Sequence, residues 1–263
     1  MKATPGNPAE LSADREKALA MFDVSRETIV RLDQFVALLL TWQCRTNLVS
    51  ASTLPTLWTR HVADSLQLLE LVEAPSPPTR YRPAQSGEGG VGVREEGSVG
   101  SVWLDLGSGG GFPGMVIACA LADVPGTCVH LIESNLKKAS FLREAVRVTG
   151  VPGIVHASRI ETLGLTLGDT ADYVTARALA PLPDLLAMIA PLLKKGAKAL
   201  LLKGQDLDAE LTKATKYWNI EAESVPSKTS KTGRILIVHA LSKRARPTPA
   251  NGRGPSIEPR RDR

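Results

Sequence analysis

The sequence predicts an α/β fold: a mostly parallel sheet flanked by helices, closed at one edge by an antiparallel hairpin and preceded by a small helical cap. Three observations carry this. The stretch Val102-Trp-Leu-Asp-Leu-Gly-Ser-Gly-Gly-Gly-Phe-Pro-Gly114 is a short apolar run that breaks into glycines before a new apolar pattern starts at Met115, which is strand, tight turn and helix. Strand-like and helix-like segments then alternate from 128 to 203, which requires parallel pairing through right-handed crossovers and puts ligands at the carboxyl ends of the strands. Two more strand-like runs, 220–225 and 234–241, follow each other across the turn 227–233 with no helix between them, so they pair antiparallel.

In chain order, residues 1–12 are expected to be a flexible terminus. The cap, 13–78, shows one helical pattern over 13–46, where Ile29, Leu32, Phe35, Val36, Leu39 and Leu40 recur at three- and four-residue spacing and Ser25 is available as an N-cap. A second runs over 55–73 through Leu57, Val62, Leu66, Leu69 and Leu71. Inside it, Arg60 and Asp64 are spaced as an exposed i,i+4 ion pair, worth a few tenths of a kcal/mol. Residues 79–100 are rich in Gly, Pro, Ser and Glu and too poor in apolar side chains to offset the entropy of ordering, so they form an insertion or linker.

The main domain, 101–243, continues with a strand over 128–133, a helix over 135–149, strands at 153–157 and 171–176, a helix over 183–195, a strand over 197–203 broken by Gly204, and a helix over 206–217 before the hairpin. A flexible tail, 244–263, ends the chain. From Lys243 onward there are seven Lys or Arg against two acids, which suits either a plain solvated tail or added affinity for nucleic acid.

A chain of 263 residues with 43% hydrophobic content can build one large core or a core plus a small subdomain, and 4% aromatics make that core aliphatic. No run of about 18 apolar residues occurs and the N-terminus lacks an apolar segment, so neither a membrane span nor a signal peptide is expected, and a cytoplasmic monomer is. Cys44, Cys119 and Cys128 are odd in number and form no C-x-x-C pair, which predicts buried small hydrophobes rather than disulfides or a metal site. The net charge of +5 favours a polyanionic partner.

The glycines supply a turn with positive backbone dihedrals at Gly107, Gly109 or Gly111 and let a ligand approach the main chain ahead of a helix N-terminus. Two cofactor classes fit: Gly109-x-Gly111-x-x-Gly114 matches the dinucleotide fingerprint, and Asp105-x-Gly107-x-Gly109-x-Gly111 is the S-adenosylmethionine version. Glu133, ending a strand about 20 residues beyond the turn, is positioned to accept hydrogen bonds from the ribose hydroxyls of either, and its bland alternative is a solvated carboxylate beside Lys137 and Lys138. The antiparallel hairpin separates the two, because a mostly parallel sheet closed in that way resembles the class I methyltransferase fold, a Rossmann-like architecture. A nicotinamide-dependent oxidoreductase would also need a catalytic Tyr/Lys or His arrangement that is not evident.

Asn47-Leu, Arg60-His-x-x-Asp64-Ser65, the glycine stretch ending in Gly-Phe-Pro-Gly114, Glu133-Ser-x-x-Lys-Lys-x-x-Phe-Leu142, Arg159-Ile-Glu161, Thr175-Ala-Arg-Ala178 and Lys203-Gly204 together resemble the bacterial 16S rRNA guanine-N7 methyltransferases of the RsmG or GidB type. The resemblance covers about Ala13 to Leu241. It implies methylation of guanine 527 in the 530 loop of 16S rRNA, near the decoding site of the small ribosomal subunit, with S-adenosylmethionine consumed and S-adenosylhomocysteine released. It implies that Gly107, Phe112, Ile160, Glu161 and Arg177 contact the cofactor together with Asp105, Gly109, Gly111 and Glu133. Arg60, His61 and Lys203 are expected to line the RNA side, together with Asn47, Asp64 and Ser65, with Arg177 bridging cofactor and base and Arg177 and Lys203 as positioning candidates. A methyltransferase acting on another RNA, a protein or a small molecule is the alternative.

The residues agree with an N7 acceptor. Thr175-Ala-Arg-Ala178 stands where an amine methyltransferase would carry Asn/Asp-Pro-Pro-Tyr, and no cysteine sits in a candidate catalytic loop to form a covalent base adduct. Guanine N7 carries a free lone pair and needs orientation rather than a general base. It lies on the major-groove edge, so the target is expected in a loop or on an open assembly intermediate.

Overall fold

The computed structural model describes residues 8–72, 79–82, 93–96, 100–167, 171–193 and 196–244. Its centre is a seven-stranded sheet of β1 Val102–Leu106, β2 Cys128–Ile132, β3 Gly153–His156, β4 Tyr173–Arg177, β5 Lys198–Lys203, β6 Trp218–Pro226 and β7 Arg234–Lys243. Their spatial order is β3-β2-β1-β4-β5-β7-β6. The first five are parallel, and β7 runs antiparallel to both β5 and β6. The winding reverses between β1 and β4, which opens a crevice at their carboxyl ends.

Among the described residues the longer α-helices are α1 Pro8–Leu19, α2 Arg26–Gln43, α3 Gly114–Ala120, α4 Leu136–Thr149, α5 Ile160–Leu167, α6 Leu182–Leu193 and α7 Leu207–Ala214. Their ends follow local chemistry. Ser25 Oγ accepts from Thr28 N–H at 3.1 Å to start α2, and the Asn135 side chain accepts from Lys137 and Lys138 N–H to start α4. All five residues of β1 are buried, and alternate side chains feed two cores: Trp103 joins the cap, α3 and α4, while Leu104 and Leu106 join α6 and the far strands.

The cap departs from the sequence prediction. The single helix over 13–46 is two, broken at 20–25 where Ser25 restarts it, and α1 begins at Pro8, inside the stretch predicted to be loose. Proline suits a first helical position because its missing N–H is not needed there. The helix predicted over 55–73 is a succession of tighter and wider turns: 3₁₀ over Ala51–Thr56, π over Trp58–Ala63, α over Asp64–Leu66 and 3₁₀ over Gln67–Leu71. Side chains divert the ladder. Asp14 on α1 accepts from the N–H groups of Trp58 (2.8 Å) and Thr59 (3.0 Å), and Ser65 Oγ donates to the His61 carbonyl at 2.6 Å.

Within the insertion, where no element is predicted, Thr79–Arg82 pairs antiparallel with Val93–Glu96. The register sets Arg80 opposite Glu95. The rest of 79–99 and the tail from 245 onward lie outside the described residues. Cys119 and Cys128 are buried as expected, but Cys44, just past α2, is exposed. No described helix is long and apolar enough to cross a membrane.

The cap docks onto the glycine turn through rings. Phe35 lies 5.3 Å from Phe112 and 6.2 Å from Phe141, and Trp42 lies 5.8 Å from Phe141. Gly114, where the turn enters α3, is wedged just as closely: a Cβ there would stand 2.5 Å from Asp105 Oδ2 and 2.4 Å from Leu131 Cδ2. Gly114→Ala is therefore expected to lower the unfolding free energy by about 1–3 kcal/mol in urea titration, and an unchanged midpoint and slope would contradict the packing described.

Candidate functional site

The turn between β1 and α3 is held from beneath by two carboxylates. Asp105 is 1% exposed; its Oδ1 accepts from Thr175 Oγ1 on β4 at 2.8 Å and its Oδ2 from Gly114 N–H at 3.2 Å. Burial pushes its carboxyl up to about 6 against those bonds. Asp105, predicted as a cofactor ligand, thus points into the protein and fastens β1, β4 and α3 together. Glu133, at the exit of β2, accepts from Gly109 N–H at 2.9 Å and from Asn135 N–H at 2.7 Å, so it is not the loosely solvated carboxylate of the bland reading. Each of its oxygens keeps lone-pair capacity for a further donor.

Gly107, Gly109 and Gly111 all have positive φ, as the turn requires. They differ in what faces them. At Gly109 a Cβ would meet only the Gly107 carbonyl oxygen, at 3.6 Å, whereas Gly110 and Gly111 are closed by Leu48 and Phe35 of the cap. Gly109 thus leaves its face of the main chain open. Phe112, predicted to touch the cofactor, turns the other way: it is buried, with its ring between Phe35 and the His61 ring, 4.9 Å from the latter. Ile160 opens α5, half-buried against the second core, with Glu161 exposed beside it.

At the tip of β4, Arg177 leaves the sheet into the cap. Its Nη2 donates to His61 Nδ1 at 2.6 Å, and its Nη1 lies 3.8 Å from Asp64 Oδ2, an ion pair too long for a hydrogen bond. Nη1 is buried with no hydrogen-bond partner among the described residues. A guanidinium can only donate, so His61 Nδ1 is an acceptor and the ring proton sits on Nε2, shared with Thr53 Oγ1 at 2.9 Å. Burial, then Arg177 and Arg60, push His61 down to about 3, so the ring is neutral. Burial lowers Arg177 from its ordinary value, opposed by Asp64. Ala178, next in the chain, holds φ +49, an uncommon conformation for a residue with a side chain.

Several residues predicted for the RNA side are buried instead. Ser65 is fully covered and spent on the His61 carbonyl; His61 and Asp64 are each 6% exposed. Asp64 does not pair with Arg60. Its Oδ1 accepts from Thr229 Oγ1 (2.6 Å) and Gln67 Nε2 (2.8 Å), and Gln67 Oε1 accepts from Lys228 N–H at 2.9 Å, which ties the cap to the β6–β7 turn. Gln67 and Thr229 were not singled out from sequence, and Thr175 appeared only within the Thr175-Ala-Arg-Ala178 motif, with no part assigned to it. A charged residue among Val62, Leu66 and Leu68 on a mostly apolar stretch was the available signal that Asp64 meets a buried partner.

A cleft of about 280 Å³ opens at the tips of β4 and β5, walled by Arg60, Arg177, Lys203, Glu210 and Arg234. Arg60 is exposed and has no ion pair or hydrogen bond among the described residues, Lys203 is ion-paired with Glu210, and Arg234 contacts Asp208 at 3.2 Å. Asn47 is exposed on the other side, next to Leu48, which closes Gly110. The arrangement offers a glycine-turn site on the β1–β2 side and a cationic cleft on the β4–β5 side, with Arg177 between them.

The sequence model of one family, described as GidB, rRNA small subunit methyltransferase G, matches residues 28–78 and 92–237. A protein of Bradyrhizobium sp. (strain ORS 278) named Ribosomal RNA small subunit methyltransferase G is 52% identical over 247 residues, 93% of this chain and 100% of that protein. One of the same name from Rhodopseudomonas palustris (strain BisB18) is 50% identical over 244 residues, 92% of this chain and 94% of that protein. Among solved structures, a SAM dependent methyltransferase from Aquifex aeolicus shares 13% identity at a TM-score of 0.46, covering 70% of this chain and 92% of that one.

His61 also sets a pH response. Unfolded, it takes a proton near its ordinary 6.5; folded, not until about 3, so its contribution to stability is complete above pH 6.5 and is lost as pH falls toward 3. Asp105 acts with the opposite sign, favouring the fold on acidification from about 6 toward 3.8. Thermal unfolding of His61→Gln is therefore expected to lose less of its midpoint than the parent protein between pH 6.5 and 4, and parallel curves for the two would refute a buried neutral ring.

Proposed function

Since the chain belongs to the rRNA small subunit methyltransferase G family, we propose that it methylates a guanine N7 of 16S rRNA with S-adenosylmethionine as donor, the target being guanine 527 in the 530 loop. The observation that carries the N7 reading is the state of His61. Both its ring nitrogens are engaged, one accepting from Arg177 and the other donating to Thr53, so the histidine beside the cleft is not available as a general base. Guanine N7 needs none, because its lone pair is free at neutral pH.

The residues fit an adenosyl cofactor: Gly109 leaves its face of the turn open, and Glu133 stands at the tip of β2 with spare acceptor capacity for ribose hydroxyls. S-adenosylmethionine supplies an electrophilic methyl group on a sulfonium. Gly107, Gly109 and Gly111 shape the turn against it, Ile160 and Glu161 border the adenine side, and Asp105 acts from behind by fixing the turn to β4. Arg177 stands where the cofactor and acceptor sides meet, and its buried Nη1, 3.8 Å from Asp64 Oδ2, makes no hydrogen bond among the described residues and keeps its donors for one of them. Arg60 brings the cleft the positive charge that a phosphate backbone requires, beside Lys203 and Arg234 with their carboxylate partners, and Asn47 offers a polar contact on the other side of the turn. His61, Asp64 and Ser65 serve the RNA indirectly, by building the wall that carries Arg177.

Mapping N7-methylguanine in 16S rRNA from cells with and without this protein tests the reading directly: one site is expected to vanish, and an unchanged map would end it. Glu133→Ala is expected to weaken S-adenosylmethionine binding about tenfold or more by calorimetry, the loss of charge-assisted hydrogen bonds. Arg177→Ala is expected to cut turnover about tenfold or more, and unchanged turnover with unchanged cofactor affinity would remove it from the site.

A further inference from the structure

Resting on the guanine-N7 reading, we propose that Glu210 recognises the Watson–Crick edge of the target guanine, with Lys203 holding its carboxylate in place. Methylation at N7 requires the Hoogsteen edge of the purine to face the methyl donor. N1–H and the N2 amine lie on the opposite ring, so they face away from it. In the sheet order β2-β1-β4-β5 the cofactor turn is on one side of β4, and the far side is formed by β5 and α7. A base seated in the cleft with N7 toward the turn therefore presents N1–H and N2–H to Lys203, Gly204 and Glu210.

Two adjacent donors call for a carboxylate, and the cleft holds three. Asp64 is already spent on Thr229 and Gln67, and Asp206 is exposed at the start of α7. Glu210 remains. It is three-quarters covered, it lines the cleft, and its one ion-pair partner, Lys203, contacts Oε2. Oε2 is buried against Lys203, so Oε1 is the oxygen left to accept N1–H and N2–H together, while the ammonium fixes the group and offsets its charge. Gly204, where a Cβ would meet nothing within 4 Å, leaves room for the ring at the tip of β5. Adenine presents an acceptor at N1 and no amine at C2, so the same carboxylate repels it.

The test uses inosine, which keeps N7, O6 and N1–H but lacks the N2 amine. Small-subunit RNA ligated to carry either guanosine or inosine at the target is assayed with tritiated S-adenosylmethionine and the full-length protein, reading kcat/KM for each. Wild type is expected to prefer guanosine about tenfold or more, the value of a hydrogen bond to a charged acceptor. Glu210→Ala is expected to bring that preference to within about twofold, Glu210→Gln to an intermediate ratio, and Lys203→Gln to lower it in the same direction. Because each ratio is internal to one preparation, partial unfolding cancels; if Glu210→Ala does not fold, Glu210→Gln decides. A preference undiminished in the Glu210 variants, or a wild type that treats both RNAs alike, overturns the proposal and leaves the N7 assignment standing. A wild type that labels neither overturns the assignment itself.

Discussion

A guanidinium taken out of water at the tip of β4 must find acceptors, and much of this architecture follows from where they come. Arg177 finds them in the cap: a neutral His61 nitrogen and the more distant Asp64 carboxylate. Removing either partner would strand a buried charge, which costs several kcal/mol. The cap is thereby bound to the sheet at the tip of β4. The irregular helical turns over 51–71 carry these partners: His61, Asp64 and Ser65, spaced i, i+3 and i+4, share one buried side, while Asp14 takes the N–H groups of Trp58 and Thr59 away from the regular ladder. π turns recur at functional sites for similar reasons.

The opposite half of the crevice is built on the same economy. Asp105 and Glu133 spend their oxygens on backbone N–H groups of the glycine turn and on Thr175, so two acids hold a loop that would otherwise have little to order it. They differ in what is left over. Asp105 is sealed, with its carboxyl raised by burial, whereas Glu133 stands at the rim of β2 with capacity to spare. One fixes the shape of the turn and the other can also meet a ligand.

The parts of this fold governed by neighbours in the chain were legible in the sequence. The apolar run at 102–106, the glycine spacing after it and the absence of a helix between 226 and 234 gave the parallel sheet, the turn and the antiparallel edge, because strand, turn and hairpin are each decided within a dozen residues. The cap was less legible, since its geometry is decided by distant partners. Asp14 acts on Trp58 and Thr59, and Asp64 abandons Arg60, four residues away, for Arg177 and Thr229. The glycine and Glu133 positions fell where spacing put them. Phe112, His61 and Ser65, grouped with the ligand-facing residues by resemblance, proved to be the joint between cap and sheet. Gln67 passed unnoticed, and the bond from Thr175 to Asp105 was not foreseen, because a buried threonine or glutamine has no sequence pattern that distinguishes it from an ordinary one.

The bonds from Gln67 to Lys228 and from Asp64 to Thr229 span more than 160 positions. During synthesis the N-terminal part emerges first, and its polar wall stays incomplete until the final hairpin has cleared the exit tunnel. Strand β7 inserts between β5 and β6, so neither edge can close earlier. The cleft is thus among the last features that a nascent chain can assemble, and a truncated product lacking the hairpin would keep the glycine turn and lose the wall opposite it.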